Sequence, residues 1–272
     1  MAVVRPRAVD GHGDITAVQY LASRLWPAGW HPGGLGWALA RGQLAEEVVV
    51  FGDESDVLGW AARSVHEPGE LLAQVDPSHP EIADLVVGWL LEGTDDVRAS
   101  IEVHHSDVTL AAALLRAGFV ARRDAPVLGM FRVTGEDGPG ALGYRVRAVE
   151  DDELAARVAV HRAAWKPSSL PWADGRTSAP EAESSFTEEA YAAVRRTWSY
   201  RQDLDLVAVA PDGSLAECCI AWLDLATGVA EIEPLGVVPE HRRRGGGRLV
   251  PRGRGAGRRP RRARALHQHR SV

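Results

Sequence analysis

Between Glu231 and Leu249 the chain reads EIEPLGVVPEHRRRGGGRL. A short strand pattern, Glu231 to Val238, stops at Pro239, which has no N–H to give to a ladder. Arg242, Arg243, Arg244, Gly245, Gly246, Gly247 and Arg248 follow, in the order R-x-x-G-x-G, and open onto a helical start. Strand, basic glycine turn and helix start together make a receptor for an anion. The first N–H groups of a helix are unpaired and lie at the positive end of its dipole. Glycines remove the Cβ atoms that would hold an anion off the backbone, successive N–H groups form a nest, and arginines add charge-assisted hydrogen bonds. Just upstream, Glu231 and Glu233 lie two apart, so a regular strand would present both carboxylates on one face.

This stretch resembles the acetyl-CoA signature of the GNAT superfamily of N-acyltransferases. The likeness is specific over Val229 to Leu249 and diffuse elsewhere. It implies that the turn, Arg242 to Arg248, grips the pyrophosphate of acetyl-CoA, which acts as co-substrate. It also implies that the main chain around Leu235, Val237 and Val238 bonds the pantetheine arm, and that Glu231, with Glu233 beside it, is the candidate base for an amine acceptor. A bulge would splay the strand to admit the cofactor, and Pro234, awkward inside a regular strand, fits one. The superfamily's general acid is a tyrosine placed later in the fold, and no Tyr follows Tyr200.

The elements that must position these residues are read twice. Arg5-Pro6-Arg7-Ala8-Val9-Asp10 returns as Arg145-Val146-Arg147-Ala148-Val149-Glu150. A helix pattern follows each copy, Ile15 to Trp26 and Leu154 to Trp165. Two strand patterns around a turn come next: Val48–Phe51 with Val57–Ala61, and Leu206–Ala210 with Leu215–Leu223. The expected fold is therefore α/β, α+β in the GNAT manner: two tandem repeats with mixed sheets flanked by helices. The first repeat spans 1–135, a Gly/Pro-rich linker 136–143, the second repeat 144–250 and an Arg-rich tail 251–272.

The repeats diverge at the turn. Val75-Asp76-Pro77-Ser78-His79 matches Val237-Val238-Pro239-Glu240-His241, but Pro80-Glu81-Ile82-Ala83-Asp84-Leu85 then stands where the basic glycine run stands. Glu81 and Asp84 would repel a pyrophosphate, so the first repeat reads as scaffold without an anion site. It continues through a helix at Ile82–Leu91, a strand at Ala99–Val103, a helix at Val108–Ala117 ended by Gly118 as its cap, and a strand at Val127–Val133. The second repeat reads as incomplete. Beyond Leu249 the chain has the Arg/Gly/Pro/Ala mixture of GC-rich DNA read in another frame, and the tail is expected to be disordered, leaving an exposed sheet edge.

Bulk properties narrow the function classes. With 45% hydrophobic residues and no apolar run of membrane-spanning length, the chain reads as a soluble globular protein. The opening MAVVRPRAVD lacks a signal-peptide core and the two cysteines are adjacent, so a reducing cytoplasm is expected and no zinc spacing occurs. The net charge of −6 hides an asymmetry: 12 Arg and no acid follow Glu240. Nucleic acid is disfavoured as a partner, because the tail has no Phe, Tyr or Trp for base stacking and the body is strongly acidic. The expected partner is a small-molecule amine; oligomeric state is not legible. Trp165, Trp172 and Trp198 flank or lie in the polar insertion Pro167–Thr187, which could line an acceptor pocket. His31 to Trp37 reads as a glycine-rich loop, and His104-His105 as structural.

Overall fold

The computed structural model of the chain describes residues 4–42, 44–52, 56–64, 69–92, 99–121, 130–133, 143–165, 184–242 and 264–267. They form two units, one of residues 1–128 with Thr197–Ser199, the other of residues 129–196 and 200–272. The 136–143 linker and the Gly52 to Ser55 turn lie wholly or mostly outside the described residues.

The first unit runs β1 (Arg7–Ala8), α1 (Gly11–Leu25), α2 (Pro32–Ala40), β2 (Ala45–Gly52), β3 (Val57–Ser64), β4 (Glu70–Val75), α3 (Pro80–Leu91), β5 (Ser100–Ile101) and α4 (Val108–Arg116). Its sheet has the order β1-β2-β3-β4-β5, antiparallel except between β4 and β5. Strand alternation sends side chains to both faces, and each face is covered. Val50, Trp60 and Ala62 pack with Val18, Leu21 and Leu35 of α1 and α2. Val49, Phe51 and Ala61 pack with Ile82, Val86 and Leu110 of α3 and α4. Asp107 caps α4 by accepting from Leu110 N, and Gly118, at φ +91°, follows its C-terminus.

The His31 to Trp37 stretch is a helix, not the expected loop. The His31 side chain accepts from Gly33 N at 3.1 Å and Pro32 occupies the first turn. A cap and a proline at the start, together with burial of Leu35, Trp37 and Leu39, outweigh the poor helix propensity of three glycines.

The second unit runs β6 (Met130–Val133), β7 (Arg145–Ala148), α5 (Leu154–Ala164), α6 (Glu188–Arg195), β8 (Asp205–Val209), β9 (Leu215–Asp224), β10 (Val229–Val237) and β11 (Arg264–His267). The order is β6-β11-β10-β9-β8-β7, antiparallel except between β10 and β11. Two expectations change here. The strand read at Val127–Val133 as the close of the first repeat pairs in the second sheet. The edge of β10 expected to be bare is partly taken by β11, from the Arg-rich tail. Main-chain pairing needs no particular side chains, and an open edge is a template for any free segment; Arg264–His267 contains neither Gly nor Pro. Residues 243–263 and 268–272 lie outside the described residues.

Candidate functional site

The site is built on β10. It pairs in register with β9 from Val229 opposite Asp224 to Ile232 opposite Ala221, then again from Leu235 opposite Cys219 to Val237 opposite Glu217. Glu233 and Pro234 stand opposite the single residue Ile220, one residue in excess, so the bulge lies where the proline pointed. Trp222 Nε1 donates to Glu233 O, which satisfies a bulge carbonyl. On its other side β10 pairs with β11 only from Val229 to Glu231. From Ile232 to Val237, no strand among the described residues pairs with that edge. Strand pairing on this side, among the described residues, thus ends just before the bulge.

Two contacts fix the end of this strand. Val238 N donates to Ala216 O at 3.0 Å. Gly236 lies against α5, where an added Cβ would meet the Trp165 ring at 2.2 Å and Ala164 Cβ at 2.7 Å. Only glycine lets helix and strand come this close. The 3-10 turn Pro239–His241 follows, and His241 Nδ1 lies 2.8 Å from Tyr144 Oη.

Arg242 is used differently from the expectation of a phosphate contact. Its Nε donates to Val237 O at 3.2 Å and its Nη2 to Ala164 O at 3.0 Å. A cation on the last carbonyls of α5 is well placed against the helix dipole, so Arg242 ties the turn to the helix. Arg243, Arg244, Gly245, Gly246, Gly247 and Arg248 lie outside the described residues.

Cross-strand partners share a face. Asp205 pairs with Ile220, Cys218 with Gly236, and Trp222 with Glu231; all therefore lie on the face that α5 covers. Glu231 is 1% exposed there. Glu233 is half-buried inside the bulge, which interrupts the alternation that would have put the two carboxylates side by side.

Two buried features were missed in the sequence. Glu217 sits on the opposite face of β9, fully buried, and neither carboxylate oxygen has a hydrogen-bond partner. Burial pushes its pKa up to about 7. The signal was a lone Glu in the apolar run Leu215–Leu223. The second feature is an ion pair, Arg157 Nε to Asp205 Oδ1 at 2.9 Å, with both side chains at 0% exposure. Asp205 Oδ2 accepts from Tyr191 Oη at 2.7 Å and Tyr200 Oη at 3.2 Å. Burial, reinforced by Asp205, raises both phenols, Tyr200 to about 12. Burial alone would lower the pKa of Arg157, but Cys218 and Asp205 beside it raise it instead. Burial likewise raises both thiols, Cys219 to about 12, so neither is an activated nucleophile.

Of the tryptophans, Trp165 stacks on His161 at 4.4 Å and covers Gly236. Trp198 belongs to the first unit and packs against Tyr20, the ring planes tilted by 45°. Trp172 and most of the insertion lie outside the described residues. Among the described residues no group of three or more His, Cys, Asp or Glu could hold a metal, and no helix is long and apolar enough to cross a membrane.

No protein-family model matches the chain, and no curated protein matches it. Among solved structures it is similar to a GCN5-related N-acetyltransferase from Sphaerobacter thermophilus, at 18% identity over 97% of this chain and 86% of that one, TM-score 0.45. It is also similar to a tandem GNAT protein from the clavulanic acid biosynthesis pathway, at 12% identity over 97% and 90%, TM-score 0.41. A third is the ribosomal-protein-S18-alanine N-acetyltransferase of Escherichia coli, at 20% identity over 39% and 54%, TM-score 0.26.

Proposed function

We propose that the second unit binds acetyl-CoA and transfers its acetyl group to the amine of a small molecule, while the first unit is a scaffold. The observation that carries this reading is the edge of β10. Pairing with β11 stops just before the bulge, and among the described residues no strand pairs with that edge of β10 from Ile232 to Val237, ahead of the 3-10 turn that leads to the basic run. An arm rich in amides can add to such an edge as a strand would, with its pyrophosphate on the turn.

In the transfer the amine nitrogen attacks the thioester carbonyl carbon. The C–N bond forms, the C–S bond breaks, and the thiolate leaves to take up a proton. The residues of this chain bind and orient the reactants, and a carboxylate removes the proton from the amine. Glu231, buried on the face under α5, and Glu233, in the bulge, are the candidates for that role.

The test is calorimetric titration of the whole chain with acetyl-CoA. One site per chain is expected, and Gly245→Glu or Gly247→Asp should each abolish it by placing a carboxylate in the anion nest. Unchanged binding in both variants would remove the site from this turn.

A further inference from the structure

The turn after β10 is held from outside itself, and the first unit shows what that changes. There the counterpart turn closes on local contacts. Ser78 N donates to Asp76 Oδ1 at 3.0 Å, and His79 Nδ1 lies 3.1 Å from Glu81 Oε1. Pro80 then starts α3. In the second unit these local partners are gone: Val238 replaces Asp76, Arg242 replaces Pro80 and Arg243 replaces Glu81. The histidine is kept as His241, but its ring meets a residue far back in the chain. Tyr144 Oη lies 2.8 Å from His241 Nδ1, with the rings edge-on. Arg242 makes the second tie, to Val237 O and Ala164 O.

Tyr144 is itself fixed. Arg145 after it pairs with Val209 in the sheet. Gly143 before it, at φ +87°, lies against Pro211, a conformation that favours glycine. The place of Tyr144 in the first repeat is held by Val4, one residue before the repeated stretch. Val4 packs on the apolar cluster beneath α3 and α4. A valine cannot hydrogen-bond a histidine through its side chain. The tyrosine thus stands in the repeat whose turn is basic, and an apolar residue in the one whose turn is acidic.

An anion nest works only when its N–H groups converge, and ordering them on binding costs conformational entropy. A turn anchored at its entrance has less freedom to lose when a pyrophosphate arrives. We infer that Tyr144, acting through His241, is a positioning residue for the pyrophosphate of acetyl-CoA. It acts without touching the cofactor, by fixing the path of Val238–Arg242 from which the basic run departs. The inference rests on the acetyl-CoA reading of that run and needs nothing of the acceptor or the base.

The probes are acetyl-CoA and S-acetylpantetheine, titrated into the full chain. They share the thioester arm and differ in the pyrophosphate and nucleotide. Tyr144→Phe keeps the ring and removes the hydroxyl. It should weaken acetyl-CoA about two- to tenfold, the range for one hydrogen bond, and leave S-acetylpantetheine unchanged. His241→Leu should cost a similar factor, and Tyr144→Phe should add nothing to it. His241→Asn, whose Oδ1 can stand in for Nδ1, should bind nearly as the wild type does. Equal weakening of both probes would show a merely structural role and overturn the inference. Unchanged acetyl-CoA binding in Tyr144→Phe would overturn it too, as would an additive loss in the double variant. Should the tyrosine or the histidine variant not fold, the other decides by the same comparison of probes. A wild-type chain that binds no acetyl-CoA removes the cofactor reading and this inference together; wild-type binding that the variants leave intact removes the inference alone.

Discussion

The two turns that follow β4 and β10 begin alike and end as opposites. In the first unit the anion position is already filled from within. Glu81 is held below the usual carboxylate range first by a hydrogen bond from its own backbone N–H, then by His79. Ser78 N is taken by Asp76 Oδ1, and Asp84 by Arg116. In the second unit the matching positions are Arg and Gly, and the strand before them is bulged. The interiors differ in the same sense. Trp60 and Gln74 pair across the first sheet, with Trp60 Nε1 donating to Gln74 Oε1; Cys218 and Gly236 pair at the same places in the second. Gly59, under Ile82 of α3, faces Val75 as Glu217 faces Val237. At these places the first copy carries Trp60, Gln74 and Gly59, neutral residues, and the second carries the buried Glu217 carboxyl and a close backbone approach at Gly236.

This contrast can be broken first at the ion pair. Arg157→Met leaves Asp205 buried without its cation and should cost about 3–5 kcal/mol in urea unfolding. Arg157→Val with Asp205→Val, which copies Val18 and Val48 at the matching places of the first unit, should recover most of that loss. If the double variant is no better than the single one, the two units are not interchangeable at these positions.

Glu217 gives a pH signature that Gly59 cannot. Its folded pKa, about 7, lies above its ordinary value of 4.5. The folded state therefore holds the proton more tightly, and its stabilising contribution is complete below about pH 4.5. It is lost as pH rises to about 7, for a total of about 3 kcal/mol. Glu217→Gln should flatten urea midpoints between pH 5 and pH 8 and raise stability at pH 8. An unchanged slope would mean that Glu217 is not the titrating group.

Gly236→Gln, which copies Gln74, places a Cβ within the Trp165 ring. It should cost about 1–3 kcal/mol by overpacking and weaken acetyl-CoA binding by lifting α5 from the strand. Full binding in a folded Gly236→Gln variant would separate this contact from the site.

The sequence showed the larger features because they are local. Val48–Phe51 and Val57–Ala61 are β-rich runs on either side of a turn, Gly118 ends a helix, and Pro234 marks the bulge by its missing N–H. The helix at Pro32–Ala40 was hidden because tertiary burial overruled its glycines. Arg157 was hidden for another reason: it sits in an alanine-rich helix and reads as a surface residue. Only Asp205, 48 residues away, shows otherwise. Glu231 and Glu233 were legible as residues, but the bulge that separates their settings belongs to the pairing with β9.

Hydrogen exchange with and without acetyl-CoA tests the contrast between the two turns most directly. Peptides that cover Ile232–Arg242 should exchange more slowly when the cofactor is present, because its arm and pyrophosphate occupy main-chain N–H groups there. Peptides that cover Leu72–Ile82 should not change. Protection at Leu72–Ile82, or none at Ile232–Arg242 under saturating acetyl-CoA, would contradict the assignment of the one cofactor site to the second unit.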